Sequence, residues 1–165
     1  MVLQRDTTVA IWGQALPESI VYLSPSWGNI IKVKSDSNGF WKAFSETTND
    51  QKNHYLQIES GKDKIFINDI LFGEVWLASG QSNMEMDFDY CCNTTDSANK
   101  ILKDSHYPFV RMFNVKKTLE YEPTYGVDGY WMEAVGEDVA SFSAVGFFFA
   151  KSIYEELNIP VGIIH

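Results

Sequence analysis

Glu74-Val75-Trp76-Leu77-Ala78-Ser79-Gly80-Gln81-Ser82-Asn83 sets a short apolar run directly before a turn of small and polar residues. A run this short suits a buried strand better than a helix, and a buried strand with polar side chains at its end is the active-site arrangement of α/β folds. A serine hydroxyl is a weak nucleophile until a base takes its proton, and the resulting oxyanion needs donors aimed at it. A tight turn after a strand meets the second need, because it exposes Oγ and directs nearby backbone N–H groups at a bound carbonyl. Ser82 has that context. The Gly-x-Ser-x-Gly elbow of α/β-hydrolases is not matched, since Gly80-Gln81-Ser82-Asn83-Met84 carries Met84 at the last place.

Upstream, the pattern predicts short strands over Thr8–Trp12, Ile20–Leu23, Ile30–Lys34, Phe40–Phe44, His54–Glu59 and Lys64–Ile67. Turn residues such as Pro25-Ser26-Trp27-Gly28-Asn29 and Ser60-Gly61-Lys62-Asp63 separate them. Turn signals at intervals of roughly 8–12 residues favour a β-sandwich. The character changes at Leu71. The expected organisation is a β-sandwich-like domain over residues 1–70, followed over 71–165 by the N-terminal part of an α/β domain.

Further on, Thr95–Lys103 reads as a helix, Phe109–Val115 as a strand and Glu120–Glu137 as a loop-rich stretch with three Gly and one Pro. Phe142, Val145, Phe149, Ile153 and Leu157 then share one helical stripe, with Ser141 as the expected N-cap and Asn158 and Pro160 as the stop. Val161-Gly162-Ile163-Ile164 comes next as a buried strand, so the tail is an α-then-β unit of the kind that builds a parallel sheet. A sheet of about three such strands cannot bury both of its faces. The expectation is a C-terminally truncated α/β domain whose uncovered stripe promotes self-association through that edge.

Composition excludes several classes of function. A formal charge of -9, from 22 acidic against 13 basic residues, repels phosphate backbones and anionic membranes and so argues against nucleic-acid and membrane partners. No run of apolar residues is long enough to span a bilayer, and no secretory signal is visible. Cys91 and Cys92 are adjacent, which neither staples distant loops nor supplies a zinc site. Asn93-Thr94-Thr95 is a glycosylation acceptor in a eukaryotic secretory setting.

Gly73-Glu74-Val75-Trp76-Leu77-Ala78-Ser79-Gly80-Gln81-Ser82-Asn83-Met84-Glu85-Met86 closely resembles the first block of the sialate O-acetylesterase family, a branch of the SGNH hydrolases. Met1-Val2-Leu3-Gln4-Arg5, Phe142-Ser143-Ala144-Val145-Gly146 and Ile159-Pro160-Val161-Gly162 extend the resemblance, in the family's order, over nearly the whole chain. The resemblance implies a three-layer, flavodoxin-like α/β domain and a carbohydrate O-acetylesterase that needs neither metal nor organic cofactor. It implies an acetylated sugar as substrate, acetylated sialic acid first and acetylated xylan as the alternative, and a secreted, periplasmic or lysosomal setting. Ser82 takes the nucleophile's place and its own N–H one oxyanion donor's place, with Gly80, Gln81 and Asn83 lining the site. The family's remaining oxyanion donors, its base histidine and the paired acid lie in later blocks with no counterpart here. A non-catalytic carbohydrate-binding β module is the rival reading.

Other candidates have plainer explanations. His54, His106 and His165 read as surface or hydrogen-bonded histidines and are excluded from the triad. Glu85 and Asp87 read as solvated carboxylates. Gln81 and Asn83 read first as holding the turn through side-chain to backbone bonds, second as touching substrate. Trp12, Trp27 and Trp41 read as core before they read as a sugar-stacking face. With no base assigned, the 165 residues by themselves are expected not to hydrolyse p-nitrophenyl acetate above background. Turnover that Ser82→Ala abolishes would show a base within them.

Overall fold

The computed structural model describes residues 1–91, 96–122, 124 and 126–165. Cys92 and the Asn93-Thr94-Thr95 acceptor lie outside the described residues, as does the Cys91 side chain. The chain divides into two compact units, Leu3–Phe72 and Met1–Val2 together with Gly73–His165.

The first unit is built from the last two residues of strand β1 (Val2–Gln4), strands β2 (Thr8–Gln14), β3 (Ile20–Pro25), β4 (Ile31–Lys34), β5 (Phe40–Glu46), β6 (His54–Ser60) and the first part of β7 (Asp63–Leu77). β2 and β5 pair antiparallel from Thr8↔Glu46 to Gln14↔Phe40. β4, β3, β6 and β7 form a second antiparallel array in that order. Alternation gives each array one buried face: Trp41, Ala43 and Ser45 on β5, Val21 and Leu23 on β3. Gly13 and Trp41 from one array and Val21, Ile58 and Ile67 from the other line a single cavity of about 270 Å³, the inter-sheet space of a small sandwich. The turn before β5 depends on Gly39, at φ +84°, where a Cβ would lie 2.3 Å from the Ala15 carbonyl oxygen.

Sequence periodicity splits residues 63–77 into two strands, whereas the chain forms one. A bulge accounts for the change of character between them. The β6 register slips between His54 and Leu56, and Asp69 takes a left-handed conformation at φ 56° while accepting a 2.7 Å bond from Asn53 Nδ2.

The tryptophans separate by depth. Trp41 is 5% exposed, Trp27 is half-buried with Nε1 donating to Ser45 Oγ at 3.0 Å, and Trp12 is 50% exposed. His54 is buried and stacks on Phe72 at 4.4 Å, with Nε2 2.7 Å from Asp50 Oδ1. Burial works to raise the Asp50 carboxyl, but the bonds from His54 and the Lys52 N–H outweigh it and hold it below the usual carboxylate range.

The second unit contains Gly73–Leu77 of β7, α1 (Ser82–Glu85), α2 (Phe88–Cys91), α3 (Asp96–Asp104), β8 (His106–Phe113), β9 (Trp131–Val135), a 3₁₀ turn (Gly136–Val139), α4 (Ala144–Leu157) and β10 (Val161–Ile164). β10 runs parallel to both β7 and β8 and lies between them. A flavodoxin-like order would instead place the first of three parallel strands, here β7, in the middle. The difference arises at β8: its outer edge is closed by β9, which pairs antiparallel, so α4 returns the chain to the other edge and β10 enters there. β9 falls inside the stretch expected to be loop. Its pattern is shorter than the run of turn residues that surrounds it, and Arg111 on β8 secures it through a 3.2 Å ion pair with Glu133.

Helix α4 departs from expectation in two ways. Its N-cap is Ser143, whose Oγ accepts from Gly146 N at 3.1 Å, and not Ser141. Phe142 is fully buried ahead of the helix, and the buried helical positions are Ala144, Gly146, Phe147 and Ala150, so the face in the core is rotated from the expected stripe. Val145, Phe149 and Leu157 are 51%, 41% and 52% exposed. Asn158 ends the helix in the left-handed region at φ 51°.

Two glycines let the parallel strands close. A Cβ at Gly73 would lie 1.9 Å from the Pro160 carbonyl oxygen, which accepts from Glu74 N at 3.0 Å. A Cβ at Gly162 would lie 2.9 Å from that of Val2 and 3.2 Å from the Trp131 ring. Gly73→Ala is expected to lower stability by about 1–3 kcal/mol in urea unfolding, because the obstructing atoms are backbone. Gly126→Ala, with nothing within 4 Å of the added carbon, should stay within about 0.5 kcal/mol.

Candidate active site

β7 ends at Leu77, and Ala78 N carries the pairing one residue further by donating to Ile164 O at 2.7 Å. The chain then leaves the sheet through Ser79 and Gly80. Gly80 is required by close approach, since a Cβ there would sit 2.8 Å from Met84 Cβ. Gln81 is extended (φ −114°, ψ −151°), and its carbonyl accepts from both Met84 N and Glu85 N at 3.0 Å, which folds Ser82–Glu85 into a single turn of helix. Gly80, Gln81, Ser82 and Asn83 are all exposed. Among the described residues, Ser82 Oγ, Ser82 N and Asn83 N make no hydrogen bond, as the first N–H groups of a helical turn do not.

The side chains of Gln81 and Asn83 also make none among the described residues, which corrects the expectation that they brace the turn. The bracing comes from Ser143. Its Oγ donates to the Met84 carbonyl while accepting from Gly146 N, so one hydroxyl caps α4 and holds α1. Ala144 N donates to Met86 O at 3.0 Å, and Phe88 N to Ala140 O at 3.1 Å, completing the attachment. Gly146 keeps the space under the cap open, since a Cβ there would lie 3.3 Å from Ser143 Oγ.

Beside this turn, at the C-terminal ends of β8 and β10, lies a crevice of about 490 Å³ lined among others by Glu85, Asn114, Lys117, Tyr130, Ser141 and His165. Open α/β sheets bind ligands outside the carboxyl ends of their strands. Glu85 pairs with Lys117, and Asp87 Oδ1 accepts from Tyr90 N at 2.7 Å, so neither carboxylate is merely solvated. His165 has partners that its sequence position does not reveal. Its N donates to Phe113 O and its O accepts from Val115 N, both at 2.8 Å, and Nδ1 lies 2.9 Å from Asn114 Oδ1. Burial first, then the Lys117 charge, pushes its pKa below the ordinary histidine value. The one cue in the sequence was Asn114, a polar residue at the end of an apolar strand. His106 is exposed on β8 and does not line the crevice, and His54 belongs to the first unit.

No family model matches the chain. Over 99% of its length it is 29% identical to the sialate O-acetylesterase of Pongo abelii and 28% identical to that of Homo sapiens. The chain spans 34% of the length of each of these relatives. A crystal structure of a carbohydrate acetylesterase from Xanthomonas citri superposes with a TM-score of 0.89 at 29% identity, covering 99% of this chain and 37% of that one.

Ser143→Ala removes a cap and a tether together. We expect a loss of about 1–2 kcal/mol in urea unfolding. We also expect faster hydrogen exchange at the Met84, Glu85 and Met86 amides than at those of β10. Unchanged exchange at those three amides would mean that the tether does not hold the turn.

Proposed function

We propose, from its likeness over 99% of its length to sialate O-acetylesterases and to a carbohydrate acetylesterase, that the chain carries the nucleophile of a carbohydrate O-acetylesterase and that this nucleophile is Ser82. The observation that carries the reading is the placement of Ser82: exposed, with Oγ unengaged among the described residues, on a one-turn helix at the carboxyl end of a parallel strand. Ser82 Oγ attacks the acetyl carbonyl and loses its proton to a base. The tetrahedral oxyanion draws on the Ser82 and Asn83 N–H groups, and collapse expels the sugar oxygen, which takes up a proton. Water then attacks the acetyl-serine, releasing acetate and restoring the hydroxyl. Gln81 and Asn83, whose side chains do not hold the turn, line the site. None of His54, His106 and His165 is assigned as the base.

The rival reading, a sugar-binding β module without chemistry, finds less support. Of the three tryptophans that would make its stacking face, Trp41 is buried and Trp27 half-buried, and only Trp12 is half-exposed.

The test is acetyl release from O-acetylated sialic acid and from acetylated xylan by the protein that contains this chain. Ser82→Ala should lower kcat by about 10⁶ and leave KM within a few-fold, because the nucleophile contributes to the transition state and little to ground-state binding. Gln81→Ala and Asn83→Ala should cost about 10 to 10³. A fluorophosphonate should label the peptide containing Ser82. Labelling at another serine, or hydrolysis undiminished in Ser82→Ala, would remove Ser82 from the mechanism.

A further inference from the structure

The inter-sheet cavity of the first unit, about 270 Å³, has an apolar lining with a few polar groups set into it. Trp12, Leu16 and Ile65 are exposed at its rim, while Trp41 in the same lining is 5% exposed. Trp41 Nε1 has no hydrogen-bond partner among the described residues. A donor left alone on so buried a side chain costs stability unless something from outside meets it. It is not sealed in, since every fully enclosed side-chain nitrogen and oxygen among the described residues has a partner. Gly13 leaves it open: a Cβ there would stand 2.9 Å from Trp41 Cζ2 and 3.4 Å from Nε1, and both residues line the cavity.

Two more side chains in the lining are uncommitted. Gln14 and Asp63 are exposed, and neither side chain makes a hydrogen bond among the described residues. A ligand that satisfies all three groups brings an acceptor for Trp41 Nε1, donors for the Asp63 carboxylate and the Gln14 amide oxygen, and an apolar face for Trp12 and Ile65. A hydrocarbon brings only the last, and a quaternary ammonium ion has no acceptor for the indole N–H. A hydroxylated ring brings all of them. Among the described residues Asp63 is the one charged side chain in the lining, which favours a neutral ring over an anionic one. The volume lies just below the range of drug-sized ligand sites and so suits a single ring.

We propose that this cavity is a saccharide site. A neutral pyranose lays its C–H face on Trp12, accepts through a hydroxyl oxygen from Trp41 Nε1, and donates hydroxyls to Gln14 and Asp63. The site goes beyond the esterase reading and does not depend on Ser82, which is not in its lining.

Five tryptophans in the whole chain keep a nitrogen-15 spectrum of the indole N–H groups simple. Titration with xylobiose should move the Trp41 and Trp12 resonances saturably and leave that of Trp27, which is bonded to Ser45, in place. Trp12→Ala and Asp63→Ala should each lower xylobiose affinity about tenfold. Asp63 is exposed, so the unfolding midpoint of Asp63→Ala should stay near that of the parent. Asp63→Asn keeps an acceptor oxygen and should retain most of the affinity, and Ser82→Ala should bind xylobiose as the parent does. N-acetylneuraminic acid should bind about fivefold more weakly, its carboxylate facing that of Asp63, and tetramethylammonium should not displace xylobiose. An unmoved Trp41 resonance, parent affinity in a folded Trp12→Ala or in Asp63→Ala, lost binding in Ser82→Ala, equal or tighter binding of N-acetylneuraminic acid, or displacement by tetramethylammonium would each overturn the proposal. So would light scattering that finds a dimer dissociated by Trp12→Ala, which would give the cavity to a second copy of the chain.

Discussion

The Ser143 hydroxyl is the point on which the site depends. It accepts from Gly146 N and so starts α4, and it donates to the Met84 carbonyl and so holds the turn that begins at Ser82. A four-residue helical turn has too few internal bonds to persist by itself in water. It persists here because a buried hydroxyl, 1% exposed, ties it to a helix whose other face is packed into the sheet. The placement of Ser82 thus depends on core packing of Phe147 and Ala150 as well as on the residues around it.

That packing requires the parallel strands to lie close, and the glycines set how close. Gly73 allows the start of the β7 segment to meet Pro160, and Gly162 allows Trp131 and Val2 to cross β10. The strand ends then align, with Leu77 opposite Ile164 and Phe113 opposite Ile164 on the other side. Alignment of three strand ends produces the crevice. The segment beyond each strand forms one of its walls: the α1 turn after β7, Asn114 after β8 and His165 after β10. The four segments that carry the family resemblance, Met1–Arg5, 73–86, 142–146 and 159–162, are far apart in the chain, yet each supplies a residue to these contacts.

The resemblance and the superposition extend over nearly all of the 165 residues and about a third of the longer proteins. Within that third lies the proposed nucleophile, Ser82.

Local sequence accounts for whatever depends on neighbours in the chain. Short alternating runs before residue 70, an apolar run ending in small polar residues at 79–83, and an Asn-Pro stop after Leu157 are local signals, and strand, turn and helix end stand close to where those signals lie. Folding settles whatever depends on distant partners. β10 enters between β7 and β8 because β9 closes the other edge, a fact of pairing that no periodicity encodes. The core face of α4 is rotated because Ser143, bonded to Met84, and not Ser141, sets the first turn. The partners of His165 were hidden for the same reason. Asn114 stands fifty-one positions earlier, and only folding brings the two side chains within hydrogen-bonding distance.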